Sequence, residues 1–531
     1  MSTENATDMD TRRKLPAGIQ YFEEIREEGY LYVDKTDLVW RLVNEGNKFN
    51  YLSRPRRFGK SVLVDTLRCY LEGRKELFEG LKIMELEKEW AAYPVIRLDM
   101  SRGGATAQTV RSYLDIQFGK YEEEYGIAPK ATAQLADRFD GIITAAYKKT
   151  GQRVAILIDE YDAPLQHSWK TPDHEGCTAA YREVFAILKA DDLYEKFVFI
   201  TGITKFTQIS LFSVLNNLSN ISFDPEHAAI CGITEQELVD NFQPEMQQLA
   251  DKNGWTLDEA HARLKEYYDG YHFSRRNMTD IYNPYSLINA LSKEELGTYW
   301  ASSGATSMLP KFVPDLEVRL PDFDNCLVDG DTLTTSDVTG GAELFLYQSG
   351  YLTIKGYEDG IYKLGFPNTE VRKALYKVVL PALTLREESN TVSTQTTLLY
   401  HLRNGNVPEA MKCLRALIAD VPYSNKKMAS MDMEERYRLI ISTVLNAIGC
   451  RVEVERMLSR GRIDLVTWVA GYIYIMELKL QKNGGLAAAA QQIRDNGYAE
   501  PFKADHRTPI CLAIELDDLG RGLLDWQEVK A

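Results

Sequence analysis

Short runs dense in Val, Ile and Phe recur along the first half of this chain. They are PVIRLDM at 94–100, VAILID at 154–159 and FVFITGI at 197–203. Each suits a strand covered on both faces. Between them apolar positions recur at helical spacing. Leu38, Val39, Leu42 and Val43 precede Gly46, a short strand Phe49 to Leu52 follows, and SVLVDTLRCYLEG reads as the next helix. A further helical stretch lies around 131–149. Strands alternating with helices predict a parallel α/β sheet. From about 226 to 310 the pattern turns helical, and residues 311–390 are mixed, with strand-like pieces such as YLTIKGY. Residues 391–420 read as helical. A last α/β unit starts near 430, with the helix EERYRLIISTVLNAIG. Strands are predicted around 451–456, 463–469 and 472–479, then a helix near 486–498 and a final strand, PICLAIEL, at 509–516.

Composition narrows the class. The chain has 531 residues, of which 44% are hydrophobic and 26% charged, as in globular proteins with sizeable cores. At roughly 100–200 residues per domain, it holds two to four domains. A net charge of -15 argues against a surface coated with nucleic-acid-binding charge, though a local basic patch remains compatible with it. The seven cysteines form no CxxC pair and the seven histidines lack metal-ligand spacing. A disulfide framework or zinc cluster is therefore not expected, and a reducing cytoplasm fits better. The polar start MSTENATDMDTRRK lacks the apolar core of a signal peptide. No run of about 18 apolar residues predicts a transmembrane helix. Residues 1–14 read as a flexible leader, 15–225 as the first α/β domain, 226–425 as a helical or mixed lid or linker, and 426–531 as the last domain.

Two constellations carry chemistry. The first is YLSRPRRFGKSVLVDTL. A strand, a loop and Gly-Lys-Ser at a helix start suit a phosphate, because free backbone N–H groups and the helix N-terminus favour anionic oxygens. Arg56, Arg57, Phe58, Gly59, Lys60 and Ser61 form the candidate cradle, with Lys60 on the β/γ-phosphates and the Ser61 hydroxyl on magnesium. The glycine usual five residues before Gly59 is replaced by Arg54. Fewer glycines leave fewer places for positive φ, and the loop arginines are candidates to compensate through side-chain contacts. By itself the tripeptide is equally an ordinary helix N-terminus. The downstream strand VAILID decides the matter, since it ends in Asp159 and Glu160. Asp159 is the candidate magnesium holder and Glu160 the candidate general base for attacking water.

The second constellation is RGRIDLVTWVAGYIYIMELKL. A turn at Ala470-Gly471 predicts a hairpin that brings Asp464 beside Glu477. Alternation along the strand puts Glu477 and Lys479 on one face. Two carboxylates can hold magnesium, and a nearby lysine can stabilise charge on a scissile phosphate. Arg451, Arg456, Arg460 and Arg462 precede Asp464. They are candidates for backbone phosphate contacts, or equally for pairing with Glu453 and Glu455.

The motifs also carry resemblances. Leu15 to Gln20, Tyr32 to Thr36, Arg54 to Ser61 (RPRRFGKS) and Leu157 to Leu165 (LIDEYDAPL) resemble a bacterial AAA-ATPase-like family. So do ITGITKFTQISLFSVLNNLSNIS (200–222) and CGITEQEL (231–238). In that family the arginine-rich loop is typical. The resemblance implies a P-loop NTPase with an AAA/ASCE-type parallel sheet and an extra strand between the two Walker strands. ATP is implied as ligand, and the absence of an NKxD motif agrees. FVFITGI then lies where such ATPases carry a sensor strand. Thr201 or Thr204 would touch the γ-phosphate or the attacking water, or would be buried and satisfied by backbone. Arg275 and Arg276 are finger candidates by charge alone. Residues about 430–525 resemble the PD-(D/E)XK nuclease superfamily, at Asp464, Glu477, Lys479 and, in AAAAQQIRDNGYAEPF, Gln492. Glu434 or the adjacent Glu435 would be the upstream acid.

The implied protein is therefore α/β: a P-loop ATPase, a mostly helical middle and a small C-terminal PD-(D/E)XK nuclease-like domain. ATP and Mg²⁺ are its expected cofactors and DNA its expected partner, with no membrane, and the oligomeric state stays open. Two functions compete. One is an ATP-gated nuclease acting on DNA; the other is a nucleotide switch whose last domain only binds.

Overall fold

The computed structural model describes residues 13–128, 134–190, 192–205, 218–302, 309, 323–335, 341–384, 388–419 and 431–530. Residues 1–12 of the expected leader, and residues 206–217 of the motif stretch 200–222, lie outside them. The chain divides into two compact units, Met1–Met308 with Leu327–Asn368, and Leu309–Cys326 with Thr369–Ala531.

The first unit is built on five strands: β1 (Phe49–Ser53), β2 (Val95–Asp99), β3 (Val154–Asp159), β4 (Glu195–Gly202) and β5 (Ser219–Asn220). All neighbours pair in parallel, in the order β2-β3-β4-β1-β5. Every residue of β3 is buried, as its run of small and branched apolar side chains requires. β4 lies between β1 and β3, so one strand separates the glycine-lysine loop from Asp159, as expected. Because the strands run the same way, the loop after β1, Asp99, Asp159 and Gly202 all come to one edge of the sheet.

Helices Glu235–Asn253, Leu257–Tyr268 and Pro284–Lys293 follow, beside the short pair β6 (Ile233–Thr234) and β7 (Ile281–Tyr282). The first two open with capping boxes, Thr234 with Glu237 and Thr256 with Glu259. Their buried face, including Leu238, Leu249 and Leu264, takes in Leu15, Leu31 and Val33 from the start of the chain. A small sheet, β8 (Cys326–Asp329), β10 (Ile361–Gly365) and β9 (Thr353–Glu358) in that spatial order, accompanies the helix Ala342–Ser349. That helix stops at Gly350, φ 88°, where an added Cβ would sit 2.4 Å from a side-chain carbon of Pro55. The Tyr271 hydroxyl donates to the Gly350 carbonyl at 3.1 Å.

The second unit holds helices Thr369–Thr384, Glu388–Arg403, Val407–Ala419 and Met433–Ala447 and one five-stranded sheet. Its strands are β11 (Arg451–Leu458), β12 (Gly461–Val469), β13 (Tyr472–Leu480), β14 (Thr508–Leu516) and β15 (Leu523–Val529), paired in sequence order. β11, β12 and β13 form an antiparallel meander. β13 and β14 are parallel, joined through the helix Gly485–Asn496, whose Ala489, Ala490 and Ile493 pack on the sheet. Among the described residues no helix is long and apolar enough to cross a membrane. All seven cysteines are free.

One buried charge in the first unit sets a pH dependence. Asp269, 2% exposed, caps the C-terminus of Leu257–Tyr268, where the helix dipole disfavours an anion. Lys265 Nζ stands 3.8 Å from it, 3.5 Å from Asp280 and 3.8 Å from Glu235. Burial, and then the charge of Asp280, push the Asp269 carboxyl up to about 7. A raised folded-state pKa means that the protonated form is favoured in the fold. Its stabilisation is full below the unfolded value near 4 and is lost as pH rises through about 7. Asp269→Asn is therefore expected to leave stability nearly unchanged near pH 4 and to raise it by about 1–3 kcal/mol at pH 8. Calorimetric melting at both values checks this; an effect equal at the two pH values counts against it.

Candidate functional site

The loop after β1 turns without the usual glycines. Arg57 takes φ 66° and Gly59 φ 88°, and Gly59 opens the helix Lys60–Leu71. A non-glycine residue in left-handed backbone costs about 1 kcal/mol or more, so the loop carries strain at Arg57. Arg54 does not reach for phosphate. It is 1% exposed and donates to the carbonyls of Ser53 (2.8 Å), Ser222 (2.9 Å) and His227 (2.9 Å). Its guanidinium lies 4.1 Å from the centre of the Phe273 ring. Burial lowers its pKa to about 10. Phe58 is wedged edge-on against Tyr271 and Phe273, and Arg57 stacks 4.7 Å over Tyr285. The Arg56 carbonyl accepts from the Trp300 indole at 3.1 Å.

Lys60 is buried at the helix start. Its ammonium lies 3.2 Å from the Arg54 carbonyl, 3.3 Å from that of Pro55 and 3.4 Å from Glu160 Oε1. Glu160 also sits in left-handed backbone, φ 49°, and its N–H donates to Asp159 Oδ1 at 2.9 Å. Asp159 is pushed up to about 6 by burial and by the neighbouring Glu160, while the Ser61 hydroxyl and Lys60 pull it back. Asp99 ends β2 in register with Asp159. Hydroxyl, buried carboxylate and second acid together fit a hard divalent cation. Gly59, Lys60, Ser61, Asp99 and Glu160 line one cavity of about 480 Å³ with Arg56, Arg57 and Phe58. Its other walls include Ile19, Leu31, Val33, Ile230, Tyr285 and Ile288.

Thr201 and Thr204 have protein partners. Thr201 Oγ1 donates to the Leu52 carbonyl at 2.8 Å, tying β4 to β1. Thr204 Oγ1 donates to Asp162 Oδ2 at 2.6 Å. Asp162 also accepts from the N–H groups of Ile203 and Thr204 and from Gln166, so it fastens the end of β4 to the turn after Glu160. Arg275 stacks on Tyr357 at 4.2 Å, and neither it nor Arg276 lines the cavity.

In the second unit the hairpin forms as expected. Leu465 pairs with Met476, so Asp464 faces Glu477 one step further along. The Leu478 N–H donates to Asp464 Oδ2 at 2.9 Å. Lys479 Nζ is 3.1 Å from Glu477 Oε1. Glu477 is 1% exposed, and its Oε2 is buried without a hydrogen-bond partner. Burial, and then the charge of Asp464, push its carboxyl up to about 7. A buried, unpartnered carboxylate oxygen on a residue beside a second carboxylate fits a divalent cation. Among the described residues, no group of three or more His, Cys, Asp or Glu is arranged to hold one.

Glu434 accepts from the Leu480 N–H (3.1 Å) and Asn483 (2.8 Å), at the end of the strand bearing Glu477, while Glu435 is exposed. Gln492 donates to the Tyr498 hydroxyl (2.9 Å), which donates to the Arg462 carbonyl (2.7 Å). Arg451 and Arg456 both pair with Glu453 at 2.7 Å, and Arg462 pairs with Glu455 at 3.0 Å; Arg460 is exposed. Arg438, absent from the sequence reading, donates to Asp464 Oδ1 at 2.8 Å. Its signal was there: it stands one helical turn after Glu434, on the same face.

The parallel sheet, loop and strand-end acids define a P-loop NTPase of AAA type, and the hairpin carboxylates sit on a PD-(D/E)XK-like sheet. Residues 16–212 match the family model described as predicted AAA-ATPase, and residues 432–526 match that of the PD-(D/E)XK nuclease superfamily. A curated relative from Azotobacter chroococcum mcd 1, the uncharacterized protein in the vnfD 5′ region, is 32% identical over 534 residues. That covers 97% of this chain and 98% of the relative. The chain belongs to the predicted AAA-ATPase family and carries a C-terminal domain of the PD-(D/E)XK nuclease superfamily. Among solved structures, the Aeropyrum pernix ORC2 protein (ADPNP-ADP complexes) is 11% identical and spans 65% of this chain and 91% of that one. Its TM-score is 0.25, too low to support any argument.

Arg54 offers a direct test of its bracing role. Arg54→Lys keeps the charge but cannot fork to three carbonyls. It is expected to cost about 2–4 kcal/mol of stability, read by denaturant unfolding. A loss below about 0.5 kcal/mol, within ordinary surface-substitution range, counts against the brace.

Proposed function

We propose that the first unit binds and hydrolyses ATP with magnesium, and that its nucleotide state controls metal-dependent phosphodiester chemistry on DNA in the second. The observation that carries the first half is the shared cavity. It joins Gly59, Lys60, Ser61, Asp99 and Glu160 to an apolar wall, within the size range of ligand sites. Triphosphate oxygens meet the N–H groups opening the helix at Lys60, and the apolar wall takes the base. The Lys60 ammonium turns from the Arg54 and Pro55 carbonyls to the β/γ-phosphates. Ser61 and Asp159 hold magnesium, which supplies charge neutralisation at the phosphate oxygens. Glu160 accepts the proton of the attacking water.

For the second half, Asp464 and Glu477 hold the cation and Lys479 steadies charge on the scissile phosphate. Gln492 acts through Tyr498 on the strand bearing Asp464. A second reading is favoured by one observation: Arg438 and Lys479 already counter the charge of both carboxylates. On it the second unit binds without cutting and the protein is a nucleotide switch. The seven free cysteines suit a cytoplasmic setting.

Lys60→Ala is expected to weaken nucleotide binding at least about tenfold, measured with a fluorescent ATP analogue. Glu160→Gln should keep binding and lose hydrolysis by about 10²–10⁴-fold in a phosphate-release assay. Linear and circular DNA and RNA, incubated with Mg²⁺ or Mn²⁺ with and without ATP, test the second half. DNA cleavage should vanish in Lys479→Ala. Cleavage that survives there sinks the site assignment, and no cleavage by wild type under any condition selects the switch.

A further inference from the structure

We propose that Arg438 is the resident counter-ion of the second unit's carboxylates, and that a divalent cation binds only by displacing it from Asp464. The inference rests on reading Asp464 and Glu477 as a cation-binding pair.

The two carboxylates are unequally engaged. Both oxygens of Asp464 are taken, Oδ1 by Arg438 at 2.8 Å and Oδ2 by the Leu478 N–H at 2.9 Å. Glu477 spends Oε1 on Lys479 and leaves Oε2 buried and unpartnered. The pair therefore presents one open oxygen, too few for a hard cation that prefers several oxygen ligands. Two acids also face two bases, so there is little net negative charge to draw a cation in. A guanidinium in contact with Asp464 opposes a divalent ion at the same place.

Arg438 also has somewhere to go. Its other terminal nitrogen lies 3.0 Å from Glu455 Oε1. β11 pairs Val454 with Leu465 and Arg456 with Ile463, which leaves Glu455 opposite Asp464 on the neighbouring strand. Glu455 holds left-handed backbone there, φ 52°, strain of a kind that persists only where surroundings enforce it. Glu455, Asp464 and Glu477 thus form a row across three strands, with Arg438 clamped between the first two. Released from Asp464, Arg438 keeps its ion pair with Glu455, whose Oε1 it shares with Arg462 at 3.0 Å.

Mn²⁺ binding to the full chain without nucleotide, followed by electron paramagnetic resonance, tests the exchange. The signal of interest is the binding that Glu477→Gln removes. Arg438→Gln should tighten it on the order of tenfold or more. Arg438→Lys keeps the charge and should stay within about threefold of wild type. If Arg438 only props Asp464, both variants weaken binding, and the proposal is overturned while the carboxylate pair stands. Should Arg438→Gln not fold, clear weakening in Arg438→Lys has the same force. If Glu477→Gln removes no binding from wild type or from the Arg438 variants, the pair itself is wrong and the proposal falls with it.

Discussion

The first unit depends on a buried guanidinium held by carbonyls. Taking a cation out of water is costly, and among the described residues Arg54 is compensated by carbonyls and an aromatic face. Those partners come from Ser53, Ser222, His227 and Phe273, so one side chain gathers the end of β1, the segment after β5 and the chain beyond the helix Leu257–Tyr268. The Arg54 carbonyl meanwhile accepts from Lys60, and its N–H donates to the Gly202 carbonyl. Loop, central strand and later helices are thereby referred to a single residue. The position of Lys60 relative to Glu160 follows from it.

The two acidic sites solve one electrostatic problem in opposite ways. In the first unit Asp159 and Glu160 are neighbours in sequence, and backbone strain at Glu160 directs the second acid toward Lys60. One lysine faces two acids with Asp99 beside them, and Arg56 and Arg57 line the same cavity. In the second unit Asp464 and Glu477 come from different strands and each has its own base. In one site neighbouring acids gather around one lysine; in the other each acid meets a base of its own.

Much of this was legible in the residues, for identifiable reasons. β3 announces itself because a strand covered on both faces needs an unbroken apolar run, whereas β2, at the sheet edge, alternates buried and half-buried positions and shows itself through Val95, Ile96 and Leu98. The meeting of Asp464 and Glu477 followed from the tight turn at Ala470-Gly471, which pairs Val469 with Tyr472 and so sets every later pair. β5 was not legible, because Ser219 and Asn220 carry no hydrophobic signal and pair only through backbone. β15 was missed because LLDWQEV puts apolar residues on its exposed side, Leu524 among them. In the sequence Arg54 reads only as the residue standing where the loop usually has a glycine. Its true partners lie far along the chain, where no local pattern could assign them. Arg438 was passed over because its partner, Asp464, sits on a strand that only tertiary packing brings to the helix.

Gly350 has a mechanical consequence. Its missing side chain is the notch into which Pro55 fits, and the Tyr271 hydroxyl holds its carbonyl from the other side. The loop that carries Lys60 and the helix that precedes β9 are thus keyed together like cog and rack. The exit of the β9–β10 hairpin is short as well: Phe366 to Asn368 follow it, and Asn368 is pinned to the Asp269 carbonyl at 2.9 Å. A side chain larger than hydrogen at position 350 would strike Pro55 and jam the gear.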